Sequence, residues 1–371
     1  MELKELRGQI NEIDAQILDL FQKRMDICCQ VAEYKIENDL PIFHPEREQQ
    51  VIEQVRESVP EVLGESAVTL FTNLMDISKC RQFQMLFANE PQLESVPLER
   101  TGKQSVAVPG TIGSYTHAAA NKLLPDSEPQ FFESFAEVFA AVESGTTEFG
   151  VVPINNSTAG TVNATYELMS KYDLTICAAT KVSVNHSLCI RPETNIEDVH
   201  RVYSHEQALM QCSEFLAAHG YSARPYVNTS LAASRVKESD EPIAAICSEI
   251  CAKHFGLKIV SRNINNADTN FTRFIMMSKK LHLDPDANMI SVCLRLPHQT
   301  SALYRLLTKF SVAGLNLTKI ESRPVANTDF DVMFYLDFEG SVTTPVVLQL
   351  IRELKTELKY FKFLGNYREV L

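Results

Sequence analysis

No run of this 371-residue sequence approaches the ~18 consecutive apolar residues that a membrane helix requires. The opening "MELKELRGQI" is charged and amphipathic and lacks the apolar core of an export signal. These two absences point to a cytoplasmic protein and exclude the membrane as a partner. Without an export signal, N-x-S/T triplets such as "NFT" are chance matches. Positive charge is scarce too: 35 Lys and Arg stand against 47 Asp and Glu, a formal charge of -12. That balance opposes nonspecific binding to nucleic acid. Small anionic ligands can still be held wherever arginines cluster. Nine cysteines, among them adjacent Cys28 and Cys29 and helix-spaced Cys247 and Cys251, form neither a zinc-finger spacing nor a framework of pairs. They read as small buried thiols in a reducing compartment. No His/Cys/carboxylate cluster has ligand spacing, so no metal is expected. Internal repeats and low-complexity tracts are absent.

What is present is globular: 45% apolar and 22% charged residues. At ~100–200 residues per domain the length allows two or three domains, and the patterning divides the chain into three. Leu6, Ile10, Ile13, Ile17, Leu20 and Phe21 recur at three and four residues, and the period continues through Ile27, Val31 and Tyr34. This predicts one long amphipathic helix. After "LPIFHPE", punctuated by Pro41 and Pro45, a second helix is expected over about 46–57 and a third over about 65–87. Three helices enclose a thin core, so this all-α domain, 1–88, is expected to form an intertwined dimer. Residues 89–103, polar and with two prolines, read as a linker. Over 104–284, short apolar runs alternate with helical patterns, which predicts an α/β domain. Ligands of such domains sit at strand ends and helix N-termini, which marks the loops "PGTIGSYTH", "PINNSTAGT", "YSHEQ" and "NFTRF". The last segment, 285–371, reads β-α-β-β-α-β, the ferredoxin-like α+β order.

On the first helix Arg24 and Lys35 are eleven residues apart, only about 20° out of phase at ~100° per residue. Arg7 lies about 100° away from Arg24 by the same count, and so reaches a partner's pocket more easily than its own. Arg47 and Glu48 open the second helix; Ser78 and Gln82 lie one turn apart on the third. On an arbitrary helix such residues more often form a solvated face than a site. At these spacings, however, the set closely resembles the all-helical chorismate mutase family. The resemblance implies a pericyclic rearrangement of chorismate to prephenate in an intertwined dimer. Chorismate is a dianion, which suits the guanidiniums of Arg24, Arg47 and a partner's Arg7. Lys35 and Gln82 would donate to the ether oxygen as its bond to carbon stretches, and Glu48 would accept from the ring hydroxyl. His44 stands where family members carry an acidic residue.

The middle segment resembles prephenate dehydratase. "GSYTHAAA" (113–120), "VVPINNSTAG" (151–160), "VYSHEQALMQC" (202–212) and "NFTRF" (270–274) match family motifs in order. The resemblance implies a two-lobed fold like that of periplasmic binding proteins, with Thr272, Arg273 and Phe274 in the cleft. Thr272 would be a positioned hydrogen-bond donor to the departing hydroxyl or one link in a proton relay, while Arg273 either holds a carboxylate or is structural. Asn156, Ser157 and Gln211 match further cleft positions, and Ser114 lies in a loop beside them. His205 is either catalytic or a structural hydrogen-bonded histidine. Asn155 replaces the usual glutamate of the family.

The last segment resembles an ACT domain, through "IESRP" (320–324). The resemblance implies feedback inhibition by L-phenylalanine, bound between the loop of Ser301, Ala302 and Leu303 and a strand with Glu321, Ser322 and Arg323 of a neighbouring subunit, with Asn316 and Leu317 nearby. Thr300 and Ser301 replace a Pro-Gly pair, and a serine Cβ can obstruct the backbone approach that glycine allows. The expectation is a bifunctional enzyme of phenylalanine biosynthesis, a homodimer or tetramer without cofactor. The other readings are one live activity of the two, or a non-catalytic sensor of prephenate or an amino acid.

Overall fold

The computed structural model describes residues 2–158, 160–267, 269–325 and 331–370. Ala159 of the "PINNSTAGT" loop, and Asp329 and Phe330 of the expected strand "DFDVMFYLDFEG", lie outside them. By contacts the chain forms two units, one of residues 1–93 and 290–363, the other of residues 94–289 and 364–371.

In the first unit, α1 (Leu3–Glu37) opens on a capping box in which the Glu2 N–H donates to the Glu5 carboxylate at 3.1 Å. It ends where Asn38 closes on Tyr34 and Asp39 takes a left-handed φ of 52°. Pro45 fixes the first residue of α2 (Pro45–Glu57), and the His44 Nδ1 caps it by accepting from the Arg47 N–H at 3.4 Å. α3 (Gly64–Leu86) packs on both and on two helices of the C-terminal segment. Four polar side chains, Asp76, Ser78, Lys79 and Gln82, are buried along it, and such groups need partners. The apolar stripe of α1 is open instead: Leu6, Ile10, Ile13, Ile17, Leu20 and Ile27 are 39–63% exposed.

The C-terminal segment follows the expected β-α-β-β-α-β order: Met289–Arg295, Ala302–Val312, Leu317–Pro324, Val332–Glu339, Pro345–Glu357 and Tyr360–Tyr367. Leu317–Pro324 stands at the sheet edge, antiparallel to Val332–Glu339. Ile290, Val292, Leu294, Leu306, Phe310, Phe338 and Leu354 form the core. Between the two helices Lys309 is buried against Glu353 and, at 2.7 Å, Glu357. Burial opposes its charge, but the two carboxylates outweigh that and raise its pKa.

The second unit has two lobes, and the chain crosses between them twice. In the first, the strands run in the order Thr175–Ser183, Phe271–Ser278, Phe149–Asn156, Ser105–Pro109, Glu128–Phe132. Its core holds Val106, Val108, Ala119, Leu123, Phe149 and Phe274. Residues 184–270 supply the second sheet, ordered Lys258–Ser261, Ser187–Ile190, Ile243–Cys247, Arg201–Ser204, Ser222–Pro225. Phe271–Ser278 then returns to the first lobe, antiparallel to both neighbours. The expected linker is partly tied down, since Val96–Pro97 pairs in parallel with His282–Leu283. At the other end Glu369–Val370 pairs with Ala179 and Thr180.

Candidate active sites

Two groups of polar side chains converge, one per unit. In the first unit, the Arg24 guanidinium donates to Ser78 Oγ and, at 3.1 Å, to the Leu74 carbonyl. The Lys35 ammonium donates to the Ile42 carbonyl at 2.6 Å. Burial lowers the Lys35 pKa, and the negative charge of Glu48 partly offsets this. Glu48 is itself paired with Lys79 at 2.7 Å and Arg305 at 3.1 Å. Gln82 lies one turn beyond Ser78, buried, and its Oε1 has no hydrogen-bond partner among the described residues. Arg47 is exposed at the start of α2. Arg7 is exposed too and sits about 26 Å up α1 from Arg24 at ~1.5 Å per residue. One chain therefore does not bring Arg7 to this pocket.

In the second unit, the strand Phe271–Ser278 aligns Thr272 opposite Asn156. The Asn156 carboxamide donates to Thr272 Oγ1 and to Asn270 Oδ1, both at 2.8 Å, while its Oδ1 accepts from the Thr158 N–H at 3.0 Å. Ser157 stitches the same corner, its N–H donating to the Phe271 carbonyl at 2.8 Å and its Oγ accepting from the Phe271 N–H at 2.9 Å. Beside them is a cavity of about 250 Å³ lined by Thr158, Met210, Gln211, Asn265, Asn266 and Asn270. Gln211 Oε1 lies 3.1 Å from His186 Nε2, and the Tyr115 hydroxyl lies 3.2 Å from His186 Nδ1. The Tyr115 hydroxyl donates its one proton to the Asn185 carbonyl at 2.8 Å, and an imidazole protonated on Nε2 donates to Gln211 Oε1. Burial lowers the His186 pKa, against the Gln211 hydrogen bond, so the neutral form is favoured.

Other expected residues lie elsewhere. Successive strand residues face opposite ways, and Arg273 turns from Thr272 toward the Tyr367 hydroxyl, 3.2 Å away, and Glu369. Phe274 is part of the lobe core. Ser114 caps the helix Tyr115–Leu123, accepting from the His117 N–H at 3.1 Å. The preceding Gly113 has φ +85°, and a Cβ there would lie 2.8 Å from Cys251 Cα, so glycine alone fits this loop. His205 is an exposed helix cap, accepting from the Gln207 N–H at 3.3 Å. Asn155 lies opposite Thr161 and Arg273 in the ladder.

Residues 6–83 match the type II chorismate mutase family and residues 106–282 the prephenate dehydratase family. A bifunctional chorismate mutase/prephenate dehydratase of Aquifex aeolicus is 32% identical over 100% of this chain and 99% of its own length. This chain belongs to that bifunctional family. Among solved structures, a prephenate dehydratase from Arthrobacter aurescens, in complex with L-Phe, is 28% identical with a TM-score of 0.66, covering 71% of this chain and 90% of its own. A quorum-quenching acylase, GqqA, shares the fold at 28% identity and TM-score 0.65, over 71% of this chain and 97% of its own. Arg24, Lys35, Glu48, Ser78 and Gln82 thus lie inside the first match, and the Asn156–Thr272 corner inside the second.

Sequence reasoning missed Asp76, Lys79 and Arg305 around Glu48, and Tyr115 and His186 next to Gln211. Asp76 and Lys79 were open to view as charges flanking Ser78 in a mostly apolar helix. Arg305, 257 residues from Glu48, gave no local signal. At the C-terminal segment, Ser301 holds φ +64°, a left-handed conformation that favours glycine, just before Ala302 and Leu303. Glu321 pairs with Lys319 at 2.8 Å and with Arg323, while Ser322 is exposed between them. Asn316, beside Leu317, donates to Glu339 at 3.1 Å.

Proposed function

We propose that the two clusters are the two active sites of this bifunctional enzyme, which rearranges chorismate to prephenate and converts prephenate to phenylpyruvate. In the mutase domain Arg24, Arg47 and the partner's Arg7 hold the two carboxylates of chorismate. Lys35 and Gln82 stabilise charge growing on the ether oxygen, Ser78 holds Arg24, and Glu48 accepts from the ring hydroxyl. The rearrangement is internal to the substrate, so the protein supplies positioning and electrostatics without a nucleophile.

The observation that carries the dehydratase assignment is the Asn156 carboxamide donating to Thr272 Oγ1 at 2.8 Å. That bond occupies an acceptor site of the threonine and leaves its O–H as a donor. Prephenate loses carbon dioxide and the ring hydroxyl; the hydroxyl takes up one proton and departs as water, and the ring becomes aromatic. Thr272 donates to that departing oxygen, and Asn156, Ser157 and Gln211 shape the cleft. Arg273 and Phe274 support it from behind. Thr272→Ala is expected to cut phenylpyruvate formation from prephenate by 10²-fold or more, the order of loss of one transition-state donor, with chorismate consumption retained. Loss of both activities in a folded variant would contradict the division of labour.

The C-terminal segment is read as an ACT module binding L-phenylalanine, with Ser301, Ala302 and Leu303 facing Glu321, Ser322 and Arg323 of a second chain. The exposed edge strand and exposed α1 stripe support a homodimer or larger assembly. The nine free cysteines suit a cytoplasmic setting.

A further inference from the structure

Glu48 is held from two directions, and one of them is the C-terminal segment. Lys79 on α3 takes Oε1 at 2.7 Å, and Arg305, one turn into the helix Ala302–Val312, takes Oε2 at 3.1 Å. Arg305 is itself fixed, because it forks onto Asp76 with Nε to Oδ2 at 3.0 Å and Nη2 to Oδ1 at 2.7 Å. Such a bidentate pair sets the plane of the guanidinium. Asp76 is 1% exposed and also meets Lys79 at 3.0 Å. Burial alone would push its carboxyl up, but the hydrogen bonds from Arg305 and the charges of Lys79 and Arg305 outweigh burial and hold it below the usual carboxylate range. Asp76 is therefore a charged anchor that orients two cations, each of which grips one oxygen of Glu48.

We propose that Arg305 is a positioning residue of the mutase site, fixing the Glu48 carboxylate so that chorismate turnover depends on a side chain of the C-terminal segment. The inference rests on the reading of Glu48 as acceptor for the ring hydroxyl. A carboxylate free to rotate samples several orientations of its lone pairs. One clamped at both oxygens presents the remaining lone pairs in a single direction.

The test is kcat and KM for chorismate in the full-length wild type, Arg305→Ala, Glu48→Gln and the double variant, with turnover of added prephenate as the control for folding. Arg305→Ala leaves Asp76 paired with Lys79, so the fold is expected to survive. The expected result is about a tenfold loss of kcat/KM for chorismate with prephenate turnover retained, shrinking to less than about twofold in the Glu48→Gln background. If Arg305→Ala also loses prephenate turnover, Arg305→Lys, which keeps the charge but not the fork, is read by the same criterion of a loss that vanishes without Glu48. Wild-type chorismate kinetics in the arginine variant, or losses that multiply in the double variant, would overturn the proposal. Glu48→Gln with wild-type mutase activity would remove the role of Glu48 and this inference with it.

Discussion

At the scale of single residues, hydrogen-bond accounting separates groups poised for chemistry from groups that only hold the fold. Thr272 receives a hydrogen bond from Asn156 and keeps its proton to give, whereas the neighbouring Arg273 is engaged with Tyr367 and Glu369. His186 contacts Gln211, which lines the cavity beside the Asn156–Thr272 corner. Its pKa is depressed by burial, so below the ordinary histidine value of about 6.5 the unfolded chain binds a proton that the folded one refuses. Its contribution to stability is then full above about pH 6.5 and declines as the pH falls toward its lower folded value. Melting temperatures measured from pH 7.5 to pH 5 should fall more steeply in wild type than in His186→Gln. Some slope should remain, because burial, with the charge of His254, depresses His117 as well. Equal slopes in the two proteins would mean that His186 is not held neutral.

At the scale of elements, α1 is too long and too apolar on one face to be explained by its own chain. Six of its stripe residues are 39–63% exposed, and Arg7 lies about 26 Å along the helix from Arg24 by the rise of ~1.5 Å per residue. The proposed homodimer, with a second copy laid along α1, would answer both facts. Mixing Arg7→Ala with Glu48→Gln subunits, unfolded and refolded together, should restore roughly a quarter of wild-type mutase activity, since half the dimers are mixed and one site in each is intact. No recovery would place Arg7 in its own chain's site or outside any site. Elements of this kind were legible in advance, because the 3.6-residue period and the prolines at 41 and 45 bracket α1 and α2 closely. Other elements were not. Ser222–Pro225 is exposed along its whole length and carries no hydrophobic alternation, and Val96–Pro97 is a strand only because His282–Leu283 lies beside it. The polar residues buried on α3 contradict the usual reading of charges as solvent-facing, and only their tertiary partners explain them.

At the scale of the whole molecule, chain order and spatial order differ. Residues 1–93 fold into one unit with residues 290–363, although the dehydratase segment lies between them in sequence. Motifs spaced along the chain revealed the family and its two chemistries, since each motif is local. They could not reveal that Arg305 meets Asp76 and Glu48, which are more than 200 residues away. The central claim, two sequential activities under control of the C-terminal segment, is tested most directly by product analysis of the purified protein given chorismate, with and without L-phenylalanine. The account predicts phenylpyruvate as the end product, with less of it when phenylalanine is present. Prephenate accumulating as the sole product, at a rate indifferent to phenylalanine, would contradict it.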